Sequence, residues 1–183
     1  CTAAMGGAKG GAVTGALTQP VVVAGNTVYV RAGTYTLTGN NTYGTAGSAG
    51  NPITYIGYTT TRTDNGQVTV TTATNSVVMF NITGAFRRFV NFIAQRTGGT
   101  TVIGYSVTGG TTILKNCKAL TTTSSGFEFG SGSTNSQCFN CWASGTTSNA
   151  GFNVTSAGAN QVKLFGAVAS GGSVVGFSFA SND

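Results

Sequence analysis

Few side chains in this sequence could take part in acid–base, nucleophilic or metal chemistry. The chain has no histidine, and its only carboxylates are those of Asp64, Glu128 and Asp183. The absence of histidine excludes Ser–His and Cys–His nucleophile pairs and every histidine-based metal site. A glycosidase needs two carboxylates at a fixed separation across one bond. We therefore expect no catalytic residue, no metal site and no cofactor within this chain.

The elements that would position any site repeat along the chain. An apolar-x-Asn-apolar-x-Ala unit occupies residues 89–94, 114–119 and 138–143, and a looser copy occupies residues 162–167. A glycine–aromatic unit follows at the same spacing, in residues 104–107, 126–129, 151–154 and 176–179. Two short elements per repeat, rich in Thr, Val and Phe, are typical of a β-solenoid and not of a helical repeat. The repeat therefore predicts a parallel β-helix.

Equivalent residues of a parallel β-helix stack about 4.8 Å apart, so stacked positions should match in character. The repeat predicts one inward apolar column, made of Phe92, Cys117, Cys141 and Phe165. A second inward column is made of Ala94, Ala119, Ala143 and Ala167. Asn91, Asn116 and Asn140 form a predicted asparagine ladder, because asparagine tolerates the left-handed backbone of a sharp bend and can hydrogen-bond along its own stack. Leu164 interrupts this ladder in the last copy.

These repeats, with residues 25–36 and 50–56, resemble the right-handed parallel β-helix proteins of the pectate-lyase-like superfamily, which includes many phage tailspikes and virion proteins. Residues 25–36 are similar to the segment with which such domains enter their first coil. The resemblance covers most of the chain and implies an all-β, right-handed parallel β-helix solenoid of about seven coils of roughly 22–25 residues. Residues 1–19 would be a flexible lead-in or N-terminal cap. Residues 20–183 would be the β-helix, continuing or capped by a partner beyond residue 183.

The resemblance does not point to catalysis within this chain. Lyases of the superfamily bind calcium through clustered carboxylates and use Lys or Arg as the base. No such acid cluster occurs at matching positions here, and calcium requires six or more oxygen ligands. The superfamily also includes proteins without any catalytic activity, so the fold alone does not decide the function.

The repeat explains the cysteines better than a redox or metal function does. Cys138 and Cys141 have the C-x-x-C spacing, but no second paired cluster follows them. Cys117 and Cys141 occupy equivalent positions of neighbouring coils, where a small apolar thiol suits a crowded interior. Buried free thiols are the main interpretation. A disulfide between Cys117 and Cys141 stays open, because neighbouring coils lie within disulfide range.

Composition favours an extracellular or virion surface over a cytosolic enzyme. Only 7% of the residues are charged, so hydroxyls, amides and backbone must cover much of the outside. The net charge of +6 reflects the scarcity of acids, and the main interpretation is that it is incidental. Two candidate basic strips, Arg87-Arg88 with Arg96 and Lys115 with Lys118, favour an acidic polysaccharide or an acidic partner surface over nucleic acid. No apolar run reaches membrane-spanning length.

Phe139 and Trp142 are the candidate ligand-binding residues. Both should face outward on a coil flank, where they could form an aromatic platform for a sugar ring or another subunit. The alternative is that they pack against a loop or a neighbouring protomer.

The function expected from these features is that of a non-enzymatic structural or attachment protein. The form we expect is a virion surface component such as a tailspike, fibre or capsid decoration protein, with polysaccharide as the expected ligand. It would form a homo-oligomer, for example a trimer, or contact other virion proteins, and neither nucleic acid nor a membrane is an expected partner. The alternative is a segment of a polysaccharide lyase or glycoside hydrolase whose active site lies outside this segment. A bacterial surface adhesin is the third interpretation.

Overall fold

The computed structural model describes residues 22–155, 161–172 and 176–179, and within them the chain is an all-β solenoid. Three six-stranded parallel sheets stack around a common interior and make six turns. No helix occurs in these ranges, and so none is long and apolar enough to cross a membrane. The predicted parallel β-helix is therefore confirmed, with six described turns against roughly seven predicted. The predicted lead-in, residues 1–19, lies outside the described residues.

Each turn contributes three strands. The first turn has β1 (Thr27–Arg31), β2 (Gly33–Leu37) and β3 (Thr42–Tyr43), and the second has β4 (Ile53–Tyr58), β5 (Val68–Thr72) and β6 (Val78–Ile82). The third has β7 (Arg87–Val90), β8 (Phe92–Arg96) and β9 (Ile103–Val107), and the fourth has β10 (Ile113–Lys115), β11 (Lys118–Leu120) and β12 (Phe127–Phe129). The fifth has β13 (Gln137–Phe139), β14 (Trp142–Ser144) and β15 (Phe152–Val154), and the sixth has β16 (Lys163–Phe165), β17 (Val168–Ser170) and β18 (Phe177–Phe179). The first strands of all turns form sheet A, the second strands sheet B and the third strands sheet C.

The interior is filled by columns of like side chains. On sheet C the inward rings of Phe80, Tyr105, Phe127, Phe152 and Phe177 stack face to face, with centroid separations of 4.6 to 5.1 Å. The glycine before each of the later rings allows sheets B and C to meet closely. A Cβ atom added to Gly126 would lie 2.9 Å from the Ala143 Cβ and 2.7 Å from the Gly151 carbonyl oxygen. The glycine–aromatic repeat therefore serves the packing of one corner of the solenoid.

The asparagines of the repeat lie at the bend between sheets A and B. Asn91, Asn116 and Asn140 have φ angles of 68°, 52° and 51°, in the left-handed region that asparagine tolerates. Asn116 Nδ2 donates a hydrogen bond to Asn91 Oδ1 at 3.2 Å, and Asn91 Nδ2 donates one to Asn65 Oδ1 at 3.4 Å. The stack therefore extends one turn earlier than the sequence repeat indicated.

The predicted alignment of the last repeat is wrong by two residues. Phe165 pairs with Phe139, and so it belongs to an outward column and not to the inward column of Phe92, Cys117 and Cys141. Its side chain is 47% exposed. Gly166, with a φ of 59°, occupies the bend position that was assigned to Leu164.

The alanine column changes with the same shift. Ala143 pairs with Ala169, so Ala169 and not Ala167 continues this column. Ala167 stays on the inner side, since it takes the position of Cys141. Phe165 changes sides, because inward and outward positions alternate along a strand but change phase at the bend, and the slip of two residues carries Phe165 across the bend.

Candidate functional site

Phe139 and Trp142 flank the bend at Asn140. Phe139 is the last residue of β13 in sheet A, and Trp142 is the first residue of β14 in sheet B. Their neighbours Cys138 and Ala143 point into the buried interior, so both aromatic side chains point outward. Trp142 is 45% exposed and Phe139 is half-buried. The structure therefore places both residues at one corner of the solenoid, on different sheets.

The two rings do not form one shared platform. The Phe139 ring stacks on the Phe165 ring, with centroids 4.8 Å apart and planes 7° from parallel. Trp142 Nε1 donates a hydrogen bond to Ser170 Oγ at 3.0 Å, and Lys118 Nζ lies 6.0 Å from the Trp142 ring centroid. Among the ring contacts of the described residues, none joins Phe139 to Trp142. The corner thus carries a phenylalanine pair on sheet A and a lysine–tryptophan pair on sheet B.

The complete corner is larger than the sequence indicated. We call it the aromatic corner, and it consists of Lys115, Lys118, Phe139, Trp142, Phe165 and Val168. Val168 is 52% exposed, and Lys115 is also exposed. A signal in the sequence could have found the additional members. Each lies either one residue before or two residues after a bend position, as Phe139 and Trp142 do around Asn140, and as Phe165 and Val168 do around Gly166.

Asp64 holds its own loop together. Its carboxylate accepts hydrogen bonds from the backbone N–H groups of Thr59 at 2.7 Å, Thr60 at 2.5 Å, Thr61 at 2.8 Å and Gly66 at 3.3 Å. Donors aimed at the charged form favour it, and they lower the pKa of Asp64 to about 2. A carboxylate committed to four backbone donors is a turn-forming group and not an acid or base for catalysis.

Glu128 lies on a different part of the solenoid from Asp64. It points outward from β12 in sheet C, between the buried rings of Phe127 and Phe129, and Ser125 Oγ donates to its Oε2 at 3.3 Å. Asp64 belongs to the loop between β4 and β5, two turns earlier. Asp183 lies outside the described residues. The described part of the chain therefore brings no two carboxylates together across a common site.

The three described cysteines are buried free thiols. Cys117 Sγ donates weakly to the Phe89 carbonyl oxygen at 3.6 Å, and Cys141 Sγ to the Leu114 carbonyl oxygen at 3.6 Å. Burial raises the pKa of Cys117 and of Cys138, because the thiolate loses its hydration. Within the described ranges, no group of three or more Cys, Asp or Glu side chains is arranged to hold a metal ion.

We expect Cys117, Cys138 and Cys141 to resist alkylation by iodoacetamide in the folded protein and to react once the protein is unfolded in guanidinium chloride. The thiolate is the reactive species, and burial suppresses both its formation and its access to the reagent. Peptide mass mapping of the protein treated with and without denaturant measures this directly. Alkylation of Cys117 in the folded protein at the rate seen in the unfolded protein would contradict the prediction.

Arg87 is not part of a basic surface strip. Its side chain is completely buried. Nη1 donates a hydrogen bond to Tyr55 Oη at 3.0 Å, and Nη2 donates one to the Thr45 carbonyl oxygen. Nε has no hydrogen-bond partner. The guanidinium lies 5.7 Å from the Tyr43 ring centroid and 5.8 Å from that of Tyr55, so aromatic faces replace a carboxylate around it. Arg87 therefore closes the interior where sheet C turns into sheet A.

The strip predicted from Arg87, Arg88 and Arg96 does not exist as a unit. Arg88 is exposed on sheet A. Arg96 ends β8 in sheet B, where it donates hydrogen bonds to the carbonyl oxygens of Thr121 at 2.6 Å and Gly99 at 3.0 Å. Lys115 and Lys118, the second predicted strip, lie on the two sides of the Asn116 bend, within the aromatic corner.

Comparisons with known proteins find no matching family model, no similar curated protein and no similar solved structure. The structure alone thus shows the β-solenoid fold, and membership of the pectate-lyase-like superfamily stays a prediction.

Proposed function

We propose that this chain is a non-enzymatic structural or attachment β-helix protein of a virion surface, such as a tailspike, fibre or capsid decoration protein, and that its aromatic corner binds polysaccharide. The proposal depends on one observation: the aromatic and aliphatic side chains of Trp142, Phe165 and Val168 are exposed beside Lys115 and Lys118. Amphipathic ring surface next to hydrogen-bond donors suits a sugar, whose C–H faces are apolar and whose rim is polar.

The arrangement of acids supports a non-enzymatic role. Asp64 is committed to backbone donors in the loop between β4 and β5, and Glu128 lies on sheet C two turns away. A binding module needs only a rigid surface, and the stacked strands supply one because every strand is paired with its counterpart in an adjacent turn. The same exposed side chains could also contact a second protomer, in keeping with the homo-oligomer that we propose for such a component.

Trp142→Ala should weaken polysaccharide binding about twofold to tenfold, because a stacked aromatic contact contributes about 0.5–1.5 kcal/mol beyond its buried area. Affinity electrophoresis in gels containing neutral or acidic polysaccharides measures the change. Val78→Ala, which trims a half-buried aliphatic side chain on sheet C, away from the aromatic corner, is the control and should bind as the unmodified protein does.

Two results would contradict the proposal. One is that Trp142→Ala and the control bind equally. The other is that unsaturated ends appear when the protein is incubated with uronate-containing polysaccharides, since lyase activity would show that the chain is catalytic.

A further inference from the structure

Basic residues collect on the outer face of sheet A. Arg31, Arg88, Lys115 and Lys163 are exposed on strands β1, β7, β10 and β16. The buried neighbours Val30, Phe89 and Leu114 fix the outward direction of the first three. Arg62, from the loop after β4, adds a fifth charge, because its guanidinium lies 5.1 Å from the ring centroid of the outward Tyr29. The nine basic residues are spread along the sequence, but the fold brings these five to one face.

No carboxylate lies on the strands of this face. The six strands of sheet A contain neither Asp nor Glu, and Glu128 lies on sheet C. Asp64, in the same loop as Arg62, stays ionised among its four backbone donors, so it offsets one of the five positive charges. A face whose net charge has one sign raises the local concentration of oppositely charged ligands. The outer face of sheet A is therefore suited to an anionic ligand.

The shape of this charged surface points to a linear ligand. The four strand cations lie on the first, third, fourth and sixth turns of sheet A, in strands that stack along the solenoid axis. Five intervals between the first and the sixth turn span about 24 Å. A compact ion would reach one or two of these groups, whereas an extended polymer lying along the axis would reach all of them.

The side chains between the charges favour an acidic polysaccharide over single-stranded nucleic acid. Bases bind such surfaces by stacking on free ring faces. On sheet A, Arg62 lies over the Tyr29 ring, and the Phe139 and Phe165 rings each cover one face of the other, so few free ring faces remain for bases. The outward polar groups of Thr54 and Gln137 suit sugar hydroxyls.

We propose that the outer face of sheet A binds a linear acidic polysaccharide along the solenoid axis, with its carboxylate or sulfate groups on the five cations. This inference rests on the proposed function, because sheet A continues directly from Lys115, Phe139 and Phe165 of the aromatic corner. To the proposed function it adds that the ligand is acidic, that it is linear and that it lies along the solenoid axis.

Calorimetric titration with oligogalacturonates from disaccharide to octasaccharide, at low ionic strength, tests the proposal. Affinity should rise with length until the ligand spans about 24 Å. The double variant Arg31→Gln with Arg62→Gln removes two charges at the end of the face remote from Trp142. It should lower the affinity for the octasaccharide about tenfold, at roughly threefold for each exposed charge that is removed. The affinity for the disaccharide should not change.

Arg96→Gln is the control for position, because it removes one positive charge from sheet B, whereas the double variant removes two from the face of sheet A. Thermal unfolding midpoints establish that each variant is folded. The inference is overturned if the double variant binds the octasaccharide as Arg96→Gln does, or if the affinity does not depend on ligand length. It is also overturned if uncharged maltooligosaccharides bind as tightly as the oligogalacturonates. In each of these cases polysaccharide binding at Trp142 stands. Tighter binding of oligothymidylate than of oligogalacturonate would overturn the ligand class. A protein that binds no polysaccharide at all would overturn the proposed function together with this inference.

Discussion

Phe127→Ala should lower the free energy of unfolding by about 3–5 kcal/mol. The Phe127 ring is completely buried and stacks between the rings of Tyr105 at 4.7 Å and Phe152 at 4.8 Å. The substitution removes buried apolar area and leaves a cavity that neighbouring side chains cannot fill, because strand pairing with the turns above and below fixes their positions. Guanidinium denaturation monitored by circular dichroism measures the loss.

Phe165→Ala is the matched control for this prediction. It makes the same change on the outer surface of the same solenoid. A surface substitution changes the free energy of unfolding by about 0.5 kcal/mol or less, and loss of the stack on Phe139 would add slightly to this change. A loss as large as that of Phe127→Ala would contradict the outward placement of Phe165. It would favour the inward position that the sequence repeat had assigned to this residue.

Arg87→Ala should lower the free energy of unfolding by about 3 kcal/mol, because it leaves a cavity and removes the hydrogen-bond donors of one buried and one partly buried oxygen. Those oxygens are Tyr55 Oη and the Thr45 carbonyl oxygen. Arg87→Met should cost less, since the methionine fills most of the space without the desolvation penalty of a buried cation.

Arg88→Ala is the control, because Arg88 is adjacent in sequence but exposed, and its substitution should change stability by about 0.5 kcal/mol or less. Denaturant titration of the three variants measures the order of stability. Equal effects of Arg87→Ala and Arg88→Ala would show that the guanidinium of Arg87 is not part of the interior.

The β-solenoid could be predicted because stacking makes equivalent positions of successive turns alike. Ala94, Ala119 and Ala143 pair in register as the repeat indicated. The sixth turn was misaligned because Gly166 replaces the asparagine at the bend, so the motif that anchored the earlier copies is missing. Glycine and asparagine share the ability to adopt positive φ, and this common property identifies the bend better than residue identity does.

The charged face and the buried arginine could not be predicted from the repeat. Arg88 and Lys115 lie in different columns of sheet A, since Arg88 pairs with Ile113 and Lys115 pairs with Val90. Their common face becomes visible only when the strands are assembled. The burial of Arg87 depends on Tyr55, 32 residues earlier, and on Thr45, 42 residues earlier, and neither belongs to the repeated motif.

Each strand pairs only with its counterparts in the adjacent turns, so the energetics of the rod are those of a one-dimensional array with nearest-neighbour coupling. Insertion or deletion of a complete repeat would then preserve the cross-section and change only the length, in quantised steps of about 4.8 Å. Duplication of such a unit offers a route by which related chains could lengthen their reach, and each added turn would extend the outer face of sheet A without requiring a new core.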